Sequence, residues 1–155
     1  MSGTHMPRLQ QLPPVLLARA TWLRLSRRVH FPRDEIGDVV SGVQEDFQVF
    51  RKMVVDPADA QSGRPGAIFE VEFEFARFSP ETNRWLSRIP MAFIAAQPGF
   101  RSKTWMLGRN SGSFKGLYEW DSVNDAEDYW ASFPMRLMKR RAATGTLTRA
   151  IHPTE

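Results

Sequence analysis

The sequence contains no cysteine and only three histidines. The first absence excludes a disulfide scaffold, Cys-ligated zinc, an iron–sulfur cluster and a thiol nucleophile together. The second leaves few imidazoles for metal, haem or acid–base work. Long apolar runs are missing too: none approaches the ~18–20 residues that span a bilayer. The stretch Leu12–Leu17 is short and broken by Pro13-Pro14, with no convincing cleavage site after it, so the expected location is the cytoplasm. What remains is 155 residues, 42% hydrophobic, with 11 Phe and 5 Trp. That suits a single domain of ~100–200 residues, able to bury a core without staples.

The formal net charge of +4 is unevenly spread. Residues 1–33 carry six arginines and no acid, whereas residues 34–155 carry 15 basic against 17 acidic groups. The basicity belongs to an N-terminal arm, and the body is mildly acidic. Met1-Ser2-Gly3-Thr4-His5-Met6 reads as a cloning remnant, with Met6 the natural start and His30 and His152 the remaining imidazoles. Within residues 7–65, a basic amphipathic helix is expected over Val15–Val29, with Leu16, Leu17, Ala20, Leu23 and Val29 as its apolar stripe. Such a helix either touches a membrane surface or an anionic partner, or packs on the domain. Phe47–Val55 is expected as a strand, and 56–66, crowded with Pro, Gly, Asp and Ser, as a loop.

From Ile68 to Phe78 the pattern alternates, with Phe69, Val71, Phe73 and Phe75 on one face and Glu70, Glu72 and Glu74 on the other. This predicts a half-buried strand. Ser79-Pro80-Glu81 starts a helix, with a serine cap, proline in the first turn and an acid at the positive helix end. Pro98-Gly99 stops it. Strands follow at Arg101–Leu107 and Phe114–Trp120, joined by a hairpin, then a helix opened by Ser122 with Asp125, and a last strand over Thr146–His152. Gly145 is expected to close that second helix. A shift of 44 positions lays Ile89-Pro90-Met91 on Phe133-Pro134-Met135. Each proline should kink or split its helix, because it removes a helical hydrogen bond. Two tandem βαβ halves predict an α+β, ferredoxin-like βαββαβ antiparallel sheet with the helices on one face. The three glutamates then look away from the helices, where Lys115, with Arg149 or Lys103, can pair with them at ~0.2–1 kcal/mol each. That face suits water or a second sheet. An exposed carboxylate face also disfavours nucleic acid, since RNA-recognition sheets of this topology present aromatics there.

The pattern Pro98-Gly99-Phe100, Lys103, Trp105, Gly116-Leu117-Tyr118-Glu119-Trp120-Asp121, Ala126 and Tyr129 resembles the dimeric α+β barrel superfamily. More narrowly it resembles the YdhR-type mono-oxygenases, relatives of the antibiotic-biosynthesis monooxygenases. The resemblance spans roughly 66–152, so the domain is expected over 66–155 with 7–65 as an extension. It implies a homodimer through the sheet faces and an apolar pocket between each sheet and its helices. Some relatives hold haem there, which needs an axial ligand that only His30 or His152 offers.

Asn83, Trp85, Phe93, Trp105, Gly116, Trp120, Tyr129 and Phe133 are the expected pocket residues, with Gly116 leaving room for a ligand; the same aromatics equally suit a filled core. Cofactor-independent oxygenation requires a base and donors that steady an anion in a dry site. The candidates are Tyr118, Arg101 and His152. No His, Asp or Glu grouping has metal-ligand spacing, so neither metal nor cofactor is expected. Two readings follow. One is a monooxygenase-like homodimer acting on an apolar aromatic metabolite. The other is a non-catalytic dimer of the same fold whose basic helix meets an anionic partner or membrane surface.

Overall fold

The computed structural model describes residues 12–57 and 63–155. The remnant at 1–6, the start of the extension and part of the 56–66 loop lie outside the described residues. Helix α1 spans Pro13–Leu25 and is followed by strands β1 (Val29–His30), β2 (Val39–Ser41) and β3 (Asp46–Val55). Then come β4 (Ala67–Phe73), α2 (Pro80–Leu86), α3 (Met91–Ala95), β5 (Phe100–Gly108), β6 (Phe114–Trp120), α4 (Val123–Trp130), α5 (Phe133–Lys139) and β7 (Thr148–Pro153). Among the described residues the strands form one antiparallel sheet in the order β1-β3-β5-β6-β4-β7, with β2 also on β3. The stretch β5-β6-β4-β7, with helices after β4 and β6, is the ferredoxin-like arrangement. Strand β3 extends this sheet beyond β5.

Local chemistry explains most of the boundaries. Ser79 caps α2 by accepting from the Thr82 amide at 3.2 Å, and Ser122 caps α4 through the Asp125 amide at 3.1 Å. The two helical arms are split, as the prolines predict: Pro90 caps α3, and Ser132 caps α5 with proline in its first turn. Gly99 turns the chain into β5 at φ +75°, where a Cβ would collide with the Asp125 carboxylate. The alternating strand ends sooner than expected. β4 stops at Phe73, and Phe75 makes only a single bridge, to Ala142. Gly145 likewise does not close α5, which ends at Lys139, but turns the chain before β7 at φ +78°.

The inner sheet face carries Phe69, Val71 and Phe73 of β4 and Phe114, Tyr118 and Trp120 of β6, all buried against Ile94, Ala126, Tyr129, Met135 and Met138. α1 is packed on the domain through Leu16 and Ala20, which meet Ala92, Phe93 and Ala96, while Leu23 joins the main core. Leu17 and Trp22 stay exposed, and Val29 belongs to β1 rather than to the helix. On the outer face, Lys115 bridges Glu70 and Glu72. Lys103 and Arg149 do not join them. Register pairs Lys103 with Tyr118 and Arg149 with Val71, which turns both toward the helices, and Arg149 bonds Glu127 instead at 2.8 Å. No helix among the described residues is long and apolar enough to cross a membrane.

Candidate functional site

Between the inner sheet face and α2–α5 lies a cavity of about 340 Å³, within the usual range for ligand pockets. Its floor comes from β5 and β6. Trp105 stands opposite Gly116 and Lys103 opposite Tyr118, so alternate residues of the two strands put a lysine among aromatic rings. Lys103 is 2% exposed. Its Nζ lies 4.4 Å from the Tyr118 ring centre, 4.5 Å from Trp105 and 5.4 Å from Phe114. Among the described residues it makes no hydrogen bond and meets no carboxylate. Burial, then the charges of Arg141 and Arg51, push its pKa well below the ordinary lysine value. The rings favour an ammonium by ~2 kcal/mol when desolvated, but stripping water from an isolated charge costs several. Two cations nearby and no counter-ion among the described residues act in the same direction, toward the neutral amine.

The walls add hydroxyls and cations. The Tyr129 hydroxyl donates to the Tyr118 hydroxyl at 3.3 Å, which donates to Met138 Sδ at 3.6 Å. Burial raises both phenol pKa values, keeping them neutral donors. Arg141 donates through Nη2 to Asn83 Oδ1 at 2.9 Å, while its buried Nε has no partner among the described residues. Asn83 Nδ2 in turn donates to the Arg77 carbonyl at 2.7 Å and the Ser79 carbonyl at 3.2 Å. This clamps the turn in which Phe78 holds a left-handed φ of 67°. Such a conformation costs a bulky residue ~1–3 kcal/mol. The turn forms the cavity mouth with Ile89, Leu137 and Arg140, and the lining holds three arginines besides Lys103 and no acidic residue.

Of the expected pocket residues, Asn83, Trp105 and Tyr129 line this cavity. Tyr118 is fully buried and stands behind the lining, against Lys103. Gly116 leaves no space for a ligand, because a Cβ there would already stand 2.9 Å from the Tyr118 ring and 3.2 Å from Phe114. Trp120 is buried against Tyr129, at 4.9 Å, and Phe100, outside the lining. Phe93 and Phe133 pack on each other at 5.9 Å, joining α3 to α5. Trp85 is 60% exposed: at ~100° per residue it falls on the far side of α2 from Asn83. Arg101 lies at a bulge and ion-pairs with Asp121, and His152, opposite Ile68, is exposed on the outer face. Neither reaches the cavity. Lys103, Arg141 and Arg77 were not expected there. The parity of Trp105 and Leu107 carries the signal for Lys103, since it lies on their face of β5 and so points into the core.

No family model and no curated protein matches the chain in sequence. Among solved structures, the chain is similar to an anthrone oxidase-like protein, at 17% identity and TM-score 0.52 over 70% of this chain. It spans only about half (54%) of that protein. It is also similar to LmHde, a heme-degrading enzyme from Listeria monocytogenes, at 15% identity and TM-score 0.50, covering 82% of this chain and 97% of that one. A major regulator of staphylococcal pathogenesis matches at 8% identity and TM-score 0.54, covering 90% and 92%. The three differ in their described roles. What they share with this chain is the fold: an α+β, ferredoxin-like antiparallel sheet covered by helices.

Proposed function

We propose that the protein is a monooxygenase-like enzyme acting on an apolar aromatic compound whose CH₂ group is acidified by conjugation through the rings to a carbonyl, with Lys103 as its base. The observation that carries this reading is the unpaired Lys103 amine in the aromatic floor of the cavity. A neutral amine accepts the substrate proton, and the resulting ammonium sits beside the enolate it has created. The Arg141 Nε–H, which has no partner among the described residues, supplies a further donor to the anion. The aromatic walls hold a flat substrate and keep water away. The carbanion passes one electron to dioxygen, the two radicals combine as a hydroperoxide, and loss of water leaves a carbonyl. In sum a CH₂ group and O₂ become C=O and H₂O. Two proteins with this fold are described as anthrone oxidase-like and as heme-degrading, which points the same way. In this reading the working unit is a homodimer joined through the outer sheet faces, in the cytoplasm.

The test is oxygen consumption with anthrone as probe, followed by absorbance of the quinone product. Wild type is expected to consume one O₂ per quinone, and Lys103→Met to lose at least 100-fold in kcat while still quenching Trp105 fluorescence on binding. Equal rates in the two proteins, or no quenching by any tricyclic aromatic ketone, overturn the assignment. Native mass spectrometry checks the dimer.

A further inference from the structure

A second concavity lies on the same side of the sheet, outside the cavity just described. It is a cleft of about 480 Å³ between α1, β3 and the α2–α3 arm. Six cationic side chains line it, Arg24, Arg33, Arg51, Lys52, Arg84 and Arg88, and no acidic one does. Only Lys52 has a carboxylate partner among the described residues, Glu35. Four of the arginines stand exposed on the rim, and Arg51 forms the half-buried floor.

Arg51 is fixed in place. Its Nη1 donates to Ser87 Oγ at 2.6 Å and its Nη2 to the Arg84 carbonyl at 3.2 Å, and the guanidinium lies over Phe50 at 5.4 Å. Arg84 stacks on the same ring at 5.0 Å. Burial and the charges of Arg88 and Arg84 pull the Arg51 pKa down to about 10. Like charges held this close repel unless something cancels them. The remaining lining is apolar, chiefly Phe50, Met53, Met91 and Ala95.

We infer that this cleft binds an organic phosphate, a phosphate or pyrophosphate group carried on an apolar body. Arginine forks match the paired oxygens of phosphate. Several uncompensated guanidiniums call for a multivalent anion, which a monocarboxylate is not. The apolar floor beneath them takes the body of the ligand. The arm's basicity thereby acquires a local purpose: Arg24, in the last turn of α1, and Arg33, just after β1, complete a site whose other arginines come from β3, α2 and the α2–α3 turn.

The experiment titrates inorganic pyrophosphate and hexyl phosphate into the full chain by calorimetry, at constant ionic strength. Wild type is expected to bind both, and the double variant Arg84→Gln/Arg88→Gln to bind at least tenfold more weakly with its Tm retained. A charge-matched control, Arg27→Gln/Arg109→Gln, lies outside the cleft lining and is expected to stay within twofold of wild type. Equal weakening in both double variants overturns the inference, because it reports only general attraction to a basic surface. So does displacement of pyrophosphate by a single-stranded oligonucleotide at lower phosphate concentration, which would assign the face to nucleic acid.

Discussion

Replacing Lys103 with Met tests the electrostatic account of the cavity independently of any substrate. The folded-state pKa of Lys103 is depressed, whereas an unfolded lysine titrates near ~10.4. Between those two values the unfolded chain holds a proton that the folded one has given up, so folding stability rises with pH. The slope is about 1.4 kcal/mol per pH unit for one group. A flexible thioether fills the space among Trp105, Tyr118 and Phe114 and has no proton to lose. Lys103→Met is therefore expected to be more stable than wild type at pH 8, with the gap closing as pH approaches 10. A domain of this size shifts ~2–4 °C in Tm per kcal/mol, so the gap narrows by about 3–6 °C per pH unit. Thermal melts of both proteins at half-unit steps, followed by far-UV circular dichroism, read this directly. A variant that is less stable than wild type by a constant amount across the range refutes the reasoning. It would mean that the rings hold a charged ammonium.

Two further substitutions probe the same layer. Gly116→Ala should lower Tm, because the new methyl forces the Tyr118 and Phe114 rings apart at a cost of ~1–3 kcal/mol; an unchanged melt shows that the rings yield freely. Tyr129→Phe removes the donor to the Tyr118 hydroxyl and should cost ~0.5–1.5 kcal/mol in chemical denaturation, with a loss above ~3 kcal/mol arguing that the hydroxyl does more than bond its neighbour.

Local signals in the sequence were the legible ones. The alternation through Phe69, Val71 and Phe73, the serine caps and the helix-splitting prolines each act within a few residues, and the structure follows them. Long-range pairing is not written locally. Nothing near Phe47–Val55 says that this strand adds to β5, so the cleft that β3 builds with α1 had no sequence signature. Trp85 looked like a pocket residue because aromatics usually bury, yet helix rotation turns it outward. Lys103 was obscured by its own charge: a lysine in a strand suggests the solvated face, and only the register against Tyr118 shows otherwise. The bulge between Phe100 and Ser102 further takes Phe100 out of parity with Lys103, which leaves Trp105 and Leu107 alone to carry the signal.

Arg51 belongs to both chambers. Its guanidinium faces the cleft, yet it also lies 5.7 Å from the centre of the Trp105 ring, and it bonds Ser87, another wall residue of the inner cavity. After burial, the charges of Arg141 and then Arg51 depress the proton affinity of Lys103. An anion seated on Arg51 relieves part of that pressure and draws a proton onto Lys103. Reciprocity requires the converse: protonating Lys103 tightens anion binding by the same factor. The partition between the two chambers thus works as an electrostatic lever: a filled cleft raises the proton affinity of the Lys103 amine on its other side.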